Sequence, residues 1–471
     1  MKEFDLLLKN VRVFDPLNQI DMQGDIAITD GKIAVIEEDI APEKAQECHD
    51  LGGATAIPGI IDPHVHVGDI WGSRFSQPML AKAGVCTALD MAGPLDNILS
   101  WLPKYGAGLN VAILQYASPP FTLKDSTPSA QEIETFVNTT MTGGAYGVKI
   151  LGGHYPVTPE GSSQLIAQTR RLGGYVAWHA GTTSNGSNMN GMREAIECAD
   201  GNYIHLAHIN SYCRGAVKPE IEETQEAIEL LQANPNIYSE SYLSPLNGTR
   251  LACENAVPKS LVTCNSLKKL GYEATEAGIE AGFKAGNVYC IVDRNNESQR
   301  LTGDEGLRAW REHGTDLGGM FPVNGPAPRL ILATAKRPAG DFVVDCFSTD
   351  GGCIPRNVIV EMGLALVTLE ALTLADFVRK TSWNPSRMLR LPNKGTLGIG
   401  MDADVTVLDL KQSTPVATIA VGKVAMLHGK ILGHGTQIIC TKQGENAIRN
   451  SGLTPYLADP SAPPLKMSET R

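Results

Sequence analysis

The sequence predicts an α/β fold: a (β/α)8 TIM-like barrel with a small β-sandwich domain built from both ends of the chain. Three observations predict it. Apolar β-runs alternate with amphipathic stretches through the middle of the chain, short strand-like runs precede them, and similar runs follow them. Alternating strands and helices are typical of barrels and of doubly wound sheets, but this chain lacks the early glycine fingerprint of a doubly wound sheet. The barrel is therefore the expected architecture.

The two ends of the chain predict the small domain. Residues 1–56 contain short apolar runs separated by Asn, Asp and Gly, and Asp30-Gly31-Lys32 is a hairpin signal between two alternating runs. The strand pattern resumes near the C-terminus, after the last helical segments of the barrel. We expect residues 1–56 and 396–443 to form one domain, and the polar residues 444–471 to be a tail without clear structure.

Residues 57–395 supply the eight strands that a barrel needs. The candidate strands are 57–67, 84–91, 109–115, 145–151, 174–179, 203–209, 237–242 and 343–349. Amphipathic stretches such as Ala130–Thr140 and Glu220–Leu231 lie between them. Residues 245–340 are too long for a single βα loop, so this segment is expected to hold an insert with structure of its own.

Composition excludes several classes of partner. The net charge of −11 argues against nucleic acid and anionic membrane surfaces, and no stretch reaches the ~18 apolar residues of a transmembrane helix. The first residues lack the pattern of a secretory leader. The ten cysteines show no CxxC spacing, which favours reduced thiols and a cytoplasmic protein.

A His-x-His pair ends the first barrel strand. Side chains alternate along a strand, so His64 and His66 point to the same side and can bind one metal ion. Similar polar residues end later strands: Lys149 the fourth, His179 the fifth, His205 or His208 the sixth, and Asp350 the eighth. Each has a structural explanation when taken alone. Together they would converge on one rim of a barrel, which predicts a metal site.

Several segments together resemble the amidohydrolase superfamily, in particular its dihydropyrimidinase/hydantoinase, dihydroorotase and D-aminoacylase branches. They are PGIIDPHVHV, the residues that end the barrel strands, Thr381-Ser382-Trp383-Asn384-Pro385-Ser386 and the closing GTLGIGMDADVTVLD. The resemblance covers nearly the whole chain except the insert. It implies two divalent metal ions, with zinc as the default for a histidine-rich site, and a homo-oligomer (dimer or tetramer).

The resemblance also assigns the metal ligands. His64, His66 and Asp350 would hold the first metal, and His179 and His208 the second. His208, followed by Ile-Asn-Ser, matches the family segment better than His205, and the two are three residues apart, so they are expected to face opposite sides of the strand. Lys149 would be carboxylated on its amine, since a carbamate offers hard oxygens to both metals where an ammonium would repel them. Asp350 would also take the proton of the attacking water.

The substrate is less well defined by these motifs. Hydantoinase-like enzymes carry a tyrosine five residues after the carboxylated lysine, where this chain has His154, with Tyr155 next to it. Either side chain could stabilise the oxyanion. Gly68-Asp69 replaces the arginine of dihydroorotases, and Met91 lies where D-aminoacylases have a cysteine. The candidate substrate contacts are Asn210, Ser211, Arg214, Ser241, Tyr242 and Arg294.

We therefore expect a metal-dependent amidohydrolase, a cyclic amidase for example, that cleaves a non-peptide C–N bond by attack of a metal-bridging hydroxide. The substrate would be a cyclic amide or ureide, such as a hydantoin or dihydropyrimidine, or an N-acyl amino acid. The alternative is a lactonase or ring deaminase on the same metal site. A non-catalytic scaffold is disfavoured, because all six ligand positions are present.

Overall fold

The computed structural model describes residues 2–68 and 73–462 of the chain. Its first part is a run of five strands, which are β1 (Phe4–Asp15), β2 (Ile20–Thr29), β3 (Lys32–Glu37), β4 (Ala45–Asp50) and β5 (Thr55–Pro58). The predicted hairpin is confirmed, because β2 and β3 are antiparallel and Asp30 and Gly31 form their two-residue turn. Both turn residues have positive φ, which matches the twist of the strands that they join.

Seven parallel strands alternate with helices to form most of the barrel. These elements are β6 (Ile60–His66), α1 (Ser76–Lys82), β7 (Val85–Ala92), α2 (Leu95–Tyr105), β8 (Ala107–Ala117), α3 (Ala130–Thr142), β9 (Gly147–Leu151), α4 (Pro159–Arg171), β10 (Tyr175–His179), α5 (Met189–Ala199), β11 (Ile204–Leu206), α6 (Glu220–Ala233) and β12 (Ile237–Tyr242). Sequence signals set the helix starts: the side chains of Ser129 and Thr158 accept backbone hydrogen bonds as N-caps of α3 and α4.

The insert follows β12 and has its own antiparallel sheet. Its elements, with the helix that ends it, are β13 (Asn247–Arg250), β14 (Cys253–Glu254), β15 (Val257–Pro258), α7 (Leu261–Lys269), α8 (Glu276–Lys284), β16 (Tyr289–Arg294), β17 (Glu297–Leu301), α9 (Gly303–Glu312), β18 (Gly318–Phe321) and α10 (Pro326–Thr334). The sheet order is β13-β18-β16-β17, over a separate core that includes Phe283 and Trp310. Helix α10 packs on α6 and β12 and so belongs to the barrel.

The eighth strand closes the barrel in two pieces. β19 (Cys346–Ser348) pairs with β12, and β20 (Gly351–Gly352) pairs with β6. Thr349 and Asp350 lie between the two pieces, so the strand leaves the sheet locally at the position of a predicted ligand. The (β/α)8 barrel that the sequence predicted is confirmed.

The remaining elements complete the small domain and the C-terminal part. They are α11 (Ile359–Thr368), α12 (Leu374–Val378), α13 (Asn384–Met388), β21 (Val405–Asp409), β22 (Thr414–Ala420), β23 (Lys423–Leu427), β24 (Lys430–Ile431), β25 (Gly435–Cys440), α14 (Glu445–Asn450) and β26 (Thr454–Leu457). A π-helical turn, Arg379–Trp383, joins α12 to α13. Strand β21 pairs with β5, so both ends of the chain form one nine-stranded sheet with a shared apolar core.

The seam between the two sheets lies at Gly59. The sequence predicts one strand over 57–67, whereas the structure divides it into β5 of the small domain and β6 of the barrel. The Gly59 N–H donates to the Asp404 carbonyl at 2.8 Å, and a Cβ at Gly59 would lie 2.7 Å from the Asp404 Cβ. Only glycine allows this close approach of the two domains.

The C-terminal part departs from the expectation of a tail without clear structure. Strand β25 lies parallel to barrel strand β8, and β26 pairs with β25. Helix α14 connects the two. The buried side chain of Ile448 joins the barrel core, which explains why this mostly polar segment adopts regular structure.

Candidate metal centre

Three predicted ligands meet at the C-terminal mouth of the barrel. His64 and His66 end strand β6, and Asp350 lies between β19 and β20. The Asp350 Oδ1 atom is 2.9 Å from His66 Nε2 and 3.3 Å from His64 Nε2. One possible ligand atom of each residue lies within 4.8 Å of the other two. This spacing suits a single metal ion held between them.

Two further histidines lie against this group. The His208 ring stacks on the His64 ring with centroids 4.9 Å apart, and the His179 ring is 4.4 Å from the His208 ring. His179 ends strand β10, where its Nε2 is 2.8 Å from Ser187 Oγ. All four predicted histidine ligands therefore adjoin one another at the mouth.

The relation between His205 and His208 differs from the expected alternation. Strand β11 ends at Leu206, and His208 adopts a left-handed backbone with φ of 64°. His205 lies deeper in the barrel, with its Nε2 3.7 Å from Glu240 Oε1. The two rings therefore both point into the barrel, one below the other. The expectation of opposite faces was wrong, because the strand geometry stops between them.

Lys149 is buried on strand β9 beside this group. Its Nζ lies 3.3 Å from the Met91 sulfur, and no carboxylate accepts a hydrogen bond from it in the part of the chain that the structure describes. Burial lowers the pKa of Lys149 to about 8, although the negative charges of Glu240 and Asp350 act to raise it. A neutral amine is the form that reacts with carbon dioxide, so the setting suits the predicted carbamate.

The buried histidines favour the form that binds metal. Burial lowers the pKa of His64 and of His179 well below the ordinary value, and lowers that of His208 to about 3. These imidazoles are therefore neutral at physiological pH, and each has one lone pair to offer. The Nδ1 atom of His208 has no hydrogen-bond partner among the described residues.

Glu240 on strand β12 is part of the site and was missed by sequence reasoning. Its Oε1 lies 2.6 Å from His64 Nδ1, and Ser348 Oγ donates to its other oxygen. Burial raises the pKa of Glu240 well above the ordinary value, although the hydrogen bond from Ser348 and the charge of Lys149 act to lower it. The available signal was an acidic residue in the middle of a buried strand, two positions before Tyr242.

The contact between His64 and Glu240 also bears on whether the site suits a cation. In the tautomer of His64 whose Nδ1–H donates to Glu240 Oε1, the lone pair of His64 Nε2 faces Asp350 Oδ1 across 3.3 Å. A cation between these two acceptor atoms would offset their mutual repulsion. A divalent ion would supply this charge and would also stabilise the buried Glu240 anion. The residues therefore fit a metal ion.

Arg356 fixes the carboxylate of Asp350. Its guanidinium forms a buried ion pair with Asp350 Oδ2, and its Nε donates to the Asp350 carbonyl at 2.7 Å. A third contact, from Nη1 to the Leu246 carbonyl at 2.7 Å, ties it to the start of the insert. Burial acts to raise the pKa of Asp350, but the charge of Arg356 and the bond to His66 hold it well below its ordinary value.

Comparison with known proteins finds similar sequences and folds. A family model described as "Amidohydrolase family" matches residues 328–432. A dihydroorotase of Syntrophus aciditrophicus (strain SB) is 25% identical over 423 residues, which cover 86% of this chain and 89% of the relative. These matches support the amidohydrolase superfamily for this chain. The prediction made from its motifs is confirmed.

Solved structures of this superfamily share the fold. The L-hydantoinase (dihydropyrimidinase) from Arthrobacter aurescens aligns with a TM-score of 0.58 at 16% identity, over 92% of this chain and 99% of the other. A D-aminoacylase aligns with a TM-score of 0.62 at 16% identity and the same coverage. The comparisons support a hydrolase of carbon–nitrogen bonds, as the sequence predicted.

The two oxyanion candidates lie in the turn after β9. The His154 ring is 5.3 Å from the His179 ring, so it faces the metal ligands. The Tyr155 ring is 39% exposed and packs edge-on against Phe121 at 5.5 Å. By these contacts, His154 lies closer to the candidate metal ligands than Tyr155 does. Tyr155 forms part of the rim of the barrel mouth.

The predicted substrate contacts are divided between the mouth and other surfaces. Asn210, Ser211, Arg214 and Tyr242 form one polar cluster, and the Tyr242 ring is 6.1 Å from the His208 ring. Arg294 instead forms an exposed ion pair with Glu305 on the insert. Ser241 is buried on β12 between Glu240 and Tyr242, so it points to the opposite side of that strand.

Two expectations concern other parts of the chain. Asp69, which follows Gly68 where dihydroorotases have an arginine, lies outside the described residues. Among residues 2–68 and 73–462, no helix is both long and apolar enough to cross a membrane.

Proposed function

We propose that this protein is a metal-dependent amidohydrolase that cleaves a non-peptide C–N bond. The substrate would be a small cyclic amide or ureide, such as a hydantoin or dihydropyrimidine, or an N-acyl amino acid. The observation that carries the proposal is the convergence of His64, His66 and Asp350 within 4.8 Å at the barrel mouth. The names of the similar proteins, dihydroorotase, L-hydantoinase and D-aminoacylase, support the same reaction class.

The chain offers ligands for two divalent ions, for which zinc is the default. His64, His66 and Asp350 would hold the first ion, and His179 and His208 the second. Lys149, carboxylated on Nζ, would bridge them. When bound, the metal supplies Lewis acidity, which polarises the scissile carbonyl and makes a water nucleophilic near neutral pH.

Side chains of the protein would transfer the proton, stabilise the oxyanion and bind the substrate. Asp350 accepts the proton of the attacking water and passes it to the leaving nitrogen, as general base and then as general acid. His154 or Tyr155 donates a hydrogen bond to the carbonyl oxygen as that oxygen gains negative charge. The ring contact with His179 favours His154 for this role. Asn210, Arg214 and Tyr242 bind the remainder of the substrate.

The first experiment measures metal content and hydrolysis together. Purified protein is assayed for metal by mass spectrometry and for turnover of hydantoins, dihydropyrimidines, N-acyl amino acids of both configurations, and lactones. We expect bound divalent metal, loss of amide hydrolysis on chelation and its recovery with Zn²⁺. Asp350→Asn should lower kcat/KM by about 100- to 10,000-fold. A metal-free protein with full activity, or an undiminished Asp350→Asn variant, contradicts the proposal. Faster turnover of lactones than of amides would favour the alternative reaction.

A second experiment addresses the lysine. Protein prepared in ¹³C-bicarbonate should show a carbamate carbon signal that Lys149→Arg lacks, because a guanidinium does not form this carbamate. The same variant should bind fewer metal equivalents than the parent protein. Equal metal content with no carbamate signal in either protein would refute the bridging role. Cytoplasmic location and a dimer or tetramer stay predictions, the latter measurable by light scattering.

A further inference from the structure

Arg214 is a cation held by neutral partners at the mouth of the barrel. Its Nη2 donates to Tyr242 Oη at 2.8 Å, to Asn247 Oδ1 at 3.0 Å and to Ser211 Oγ at 3.3 Å. Its Nε donates to Asn324 Oδ1 at 2.9 Å. Within the described ranges no carboxylate lies within 4.0 Å of its guanidinium, although the chain as a whole has a net charge of −11.

Two of these partners come from the insert. Asn247 is the first residue of β13, and Asn324 follows β18. The Asn324 side chain is itself fixed, because its Nδ2 donates to the Ser244 carbonyl at 3.2 Å. The insert therefore places two amide oxygens on the guanidinium and holds it in one orientation. Amide oxygens orient the group without neutralising it, as a carboxylate would.

Tyr242 connects this cation to the metal ligands. Its hydroxyl contacts Arg214, and its ring lies 6.1 Å from the His208 ring. The Arg356 guanidinium, which already pairs with Asp350, lies 4.9 Å from the centre of the same ring. Arg214 thus lies one aromatic side chain away from the candidate centre. An anionic group in the substrate is the partner that the site leaves open, since a guanidinium binds a carboxylate with charge-assisted hydrogen bonds.

We propose that Arg214 binds a carboxylate of the substrate, and that the substrate class is an amide that carries this group, such as an N-acyl amino acid. An uncharged hydantoin or dihydropyrimidine would leave the cation without an anion. The inference rests on the proposed function, since the carboxylate is taken to belong to the molecule that is hydrolysed. It also gives the insert a role, which is to orient the arginine.

The test uses matched substrates in which only the charge differs. Metal-loaded protein is assayed for acetate release from N-acetyl amino acids and from their uncharged primary amides. We expect kcat/KM to be at least about tenfold higher for the carboxylates. Arg214→Gln should lower kcat/KM for the carboxylates by about 10- to 100-fold, mainly through KM, and that for the amides by less than about threefold. Arg214→Lys should restore part of the preference.

Two further variants separate charge from structure. Asn247→Asp keeps the size of the side chain but places a carboxylate on Arg214, so it should also abolish the preference for charged substrates. Arg171→Gln removes an exposed ion pair with Glu134 and should leave the preference unchanged. Equal losses on both substrates in Arg214→Gln, or no preference in the parent protein, would overturn the inference.

A binding measurement keeps this test distinct from that of the reaction. If metal-loaded protein hydrolyses none of the amides, the proposed function fails. Calorimetry with N-acetylglycine and N-acetylglycinamide then still tests Arg214. Binding of the carboxylate at least about tenfold more tightly than the amide, lost in Arg214→Gln and Asn247→Asp, supports the anion site. Equal binding of the two probes refutes it.

Discussion

His64 Nδ1 and Glu240 Oε1 lie 2.6 Å apart, and both side chains are almost completely buried. The contact joins the first barrel strand to the seventh and fixes the orientation of the His64 ring. It leaves Nε2 directed at Asp350. A carboxylate that holds the far nitrogen of a ligating histidine raises its basicity and selects its tautomer. Glu240 is therefore a positioning residue of the candidate centre.

Replacing Glu240 by Gln should weaken metal binding by about 10- to 100-fold, because the amide keeps the shape of the side chain but removes its charge. Metal affinity is measured by competition with a chromogenic chelator, beside kcat/KM at saturating metal. Excess Zn²⁺ should restore much of the activity, which a general loss of structure would not allow. Glu134→Gln, at an exposed ion pair, is the matched control. Unchanged metal affinity in Glu240→Gln would contradict the assigned role.

The ion pair between Arg356 and Asp350 predicts a pH effect. The positive charge of Arg356 lowers the pKa of Asp350, and the ionised carboxylate is the form that accepts a proton. Arg356→Met removes that charge, so the pKa of Asp350 should rise and the acid limb of the kcat/KM profile should move to higher pH. The expected displacement is about one to three pH units.

Arg356→Lys serves as the conservative control, since it keeps the charge and should retain most of the parent profile. The measurement is the pH dependence of kcat/KM for the three proteins at saturating metal. A uniform loss of activity in Arg356→Met without movement of the acid limb would mean that Arg356 only supports the fold.

Gly153 provides a steric test of His179. A Cβ at Gly153 would lie 2.1 Å from His179 Nε2, so Gly153→Ala should displace the imidazole from its contact with Ser187. We expect fewer bound metal equivalents and at least a tenfold lower kcat/KM, with little change in Tm. Gly186→Ala is the matched control, because the nearest atom to its added Cβ is 3.7 Å away. Full metal content in Gly153→Ala would exclude His179 as a ligand.

The sequence could predict the barrel and the candidate ligands because both follow from local pattern. Period-two alternation places His64 and His66 on one side, and the ends of parallel strands meet at one rim. Glu240 and Arg356 carried no such signal, because their roles depend on contacts that the local pattern does not show. Glu240 contacts His64, which is distant in the sequence, and Arg356 pairs with Asp350 across a turn of the chain. Asn247 and Asn324 lie in an insert whose motifs matched no family pattern.

Local pattern also misled in two places. Strand alternation predicts that His205 and His208 face opposite sides. However, β11 ends before His208, and the left-handed backbone of His208 turns its ring inward. The segment from residue 444 is predicted to lack clear structure because its apolar residues are few, yet Ile448 reaches the barrel core. In both cases tertiary contacts override the local signal.

Lys380 predicts a pH-dependent stability that is independent of the metal centre. It lies in the π-helical turn, donates to the Val344 carbonyl at 2.8 Å and has its Nζ 4.2 Å from the centre of the Phe342 ring. Burial lowers the pKa of Lys380 from 10.5 to about 7. Between these two pH values the unfolded chain binds a proton that the folded protein does not, so this residue makes the free energy of unfolding rise with pH. The slope is at most about 1.4 kcal/mol per pH unit and vanishes below about pH 7.

Lys380→Met should remove this contribution. The free energy of unfolding of the parent protein minus that of the variant should therefore increase from pH 7 to pH 9.5, as measured by urea denaturation at each pH. The lost hydrogen bond to Val344 adds an offset that does not depend on pH. Lys442→Met, at a side chain that is 82% exposed, is the control and should give a difference that stays constant. Parallel pH profiles for the parent protein and Lys380→Met would show that Lys380 is charged in the folded state.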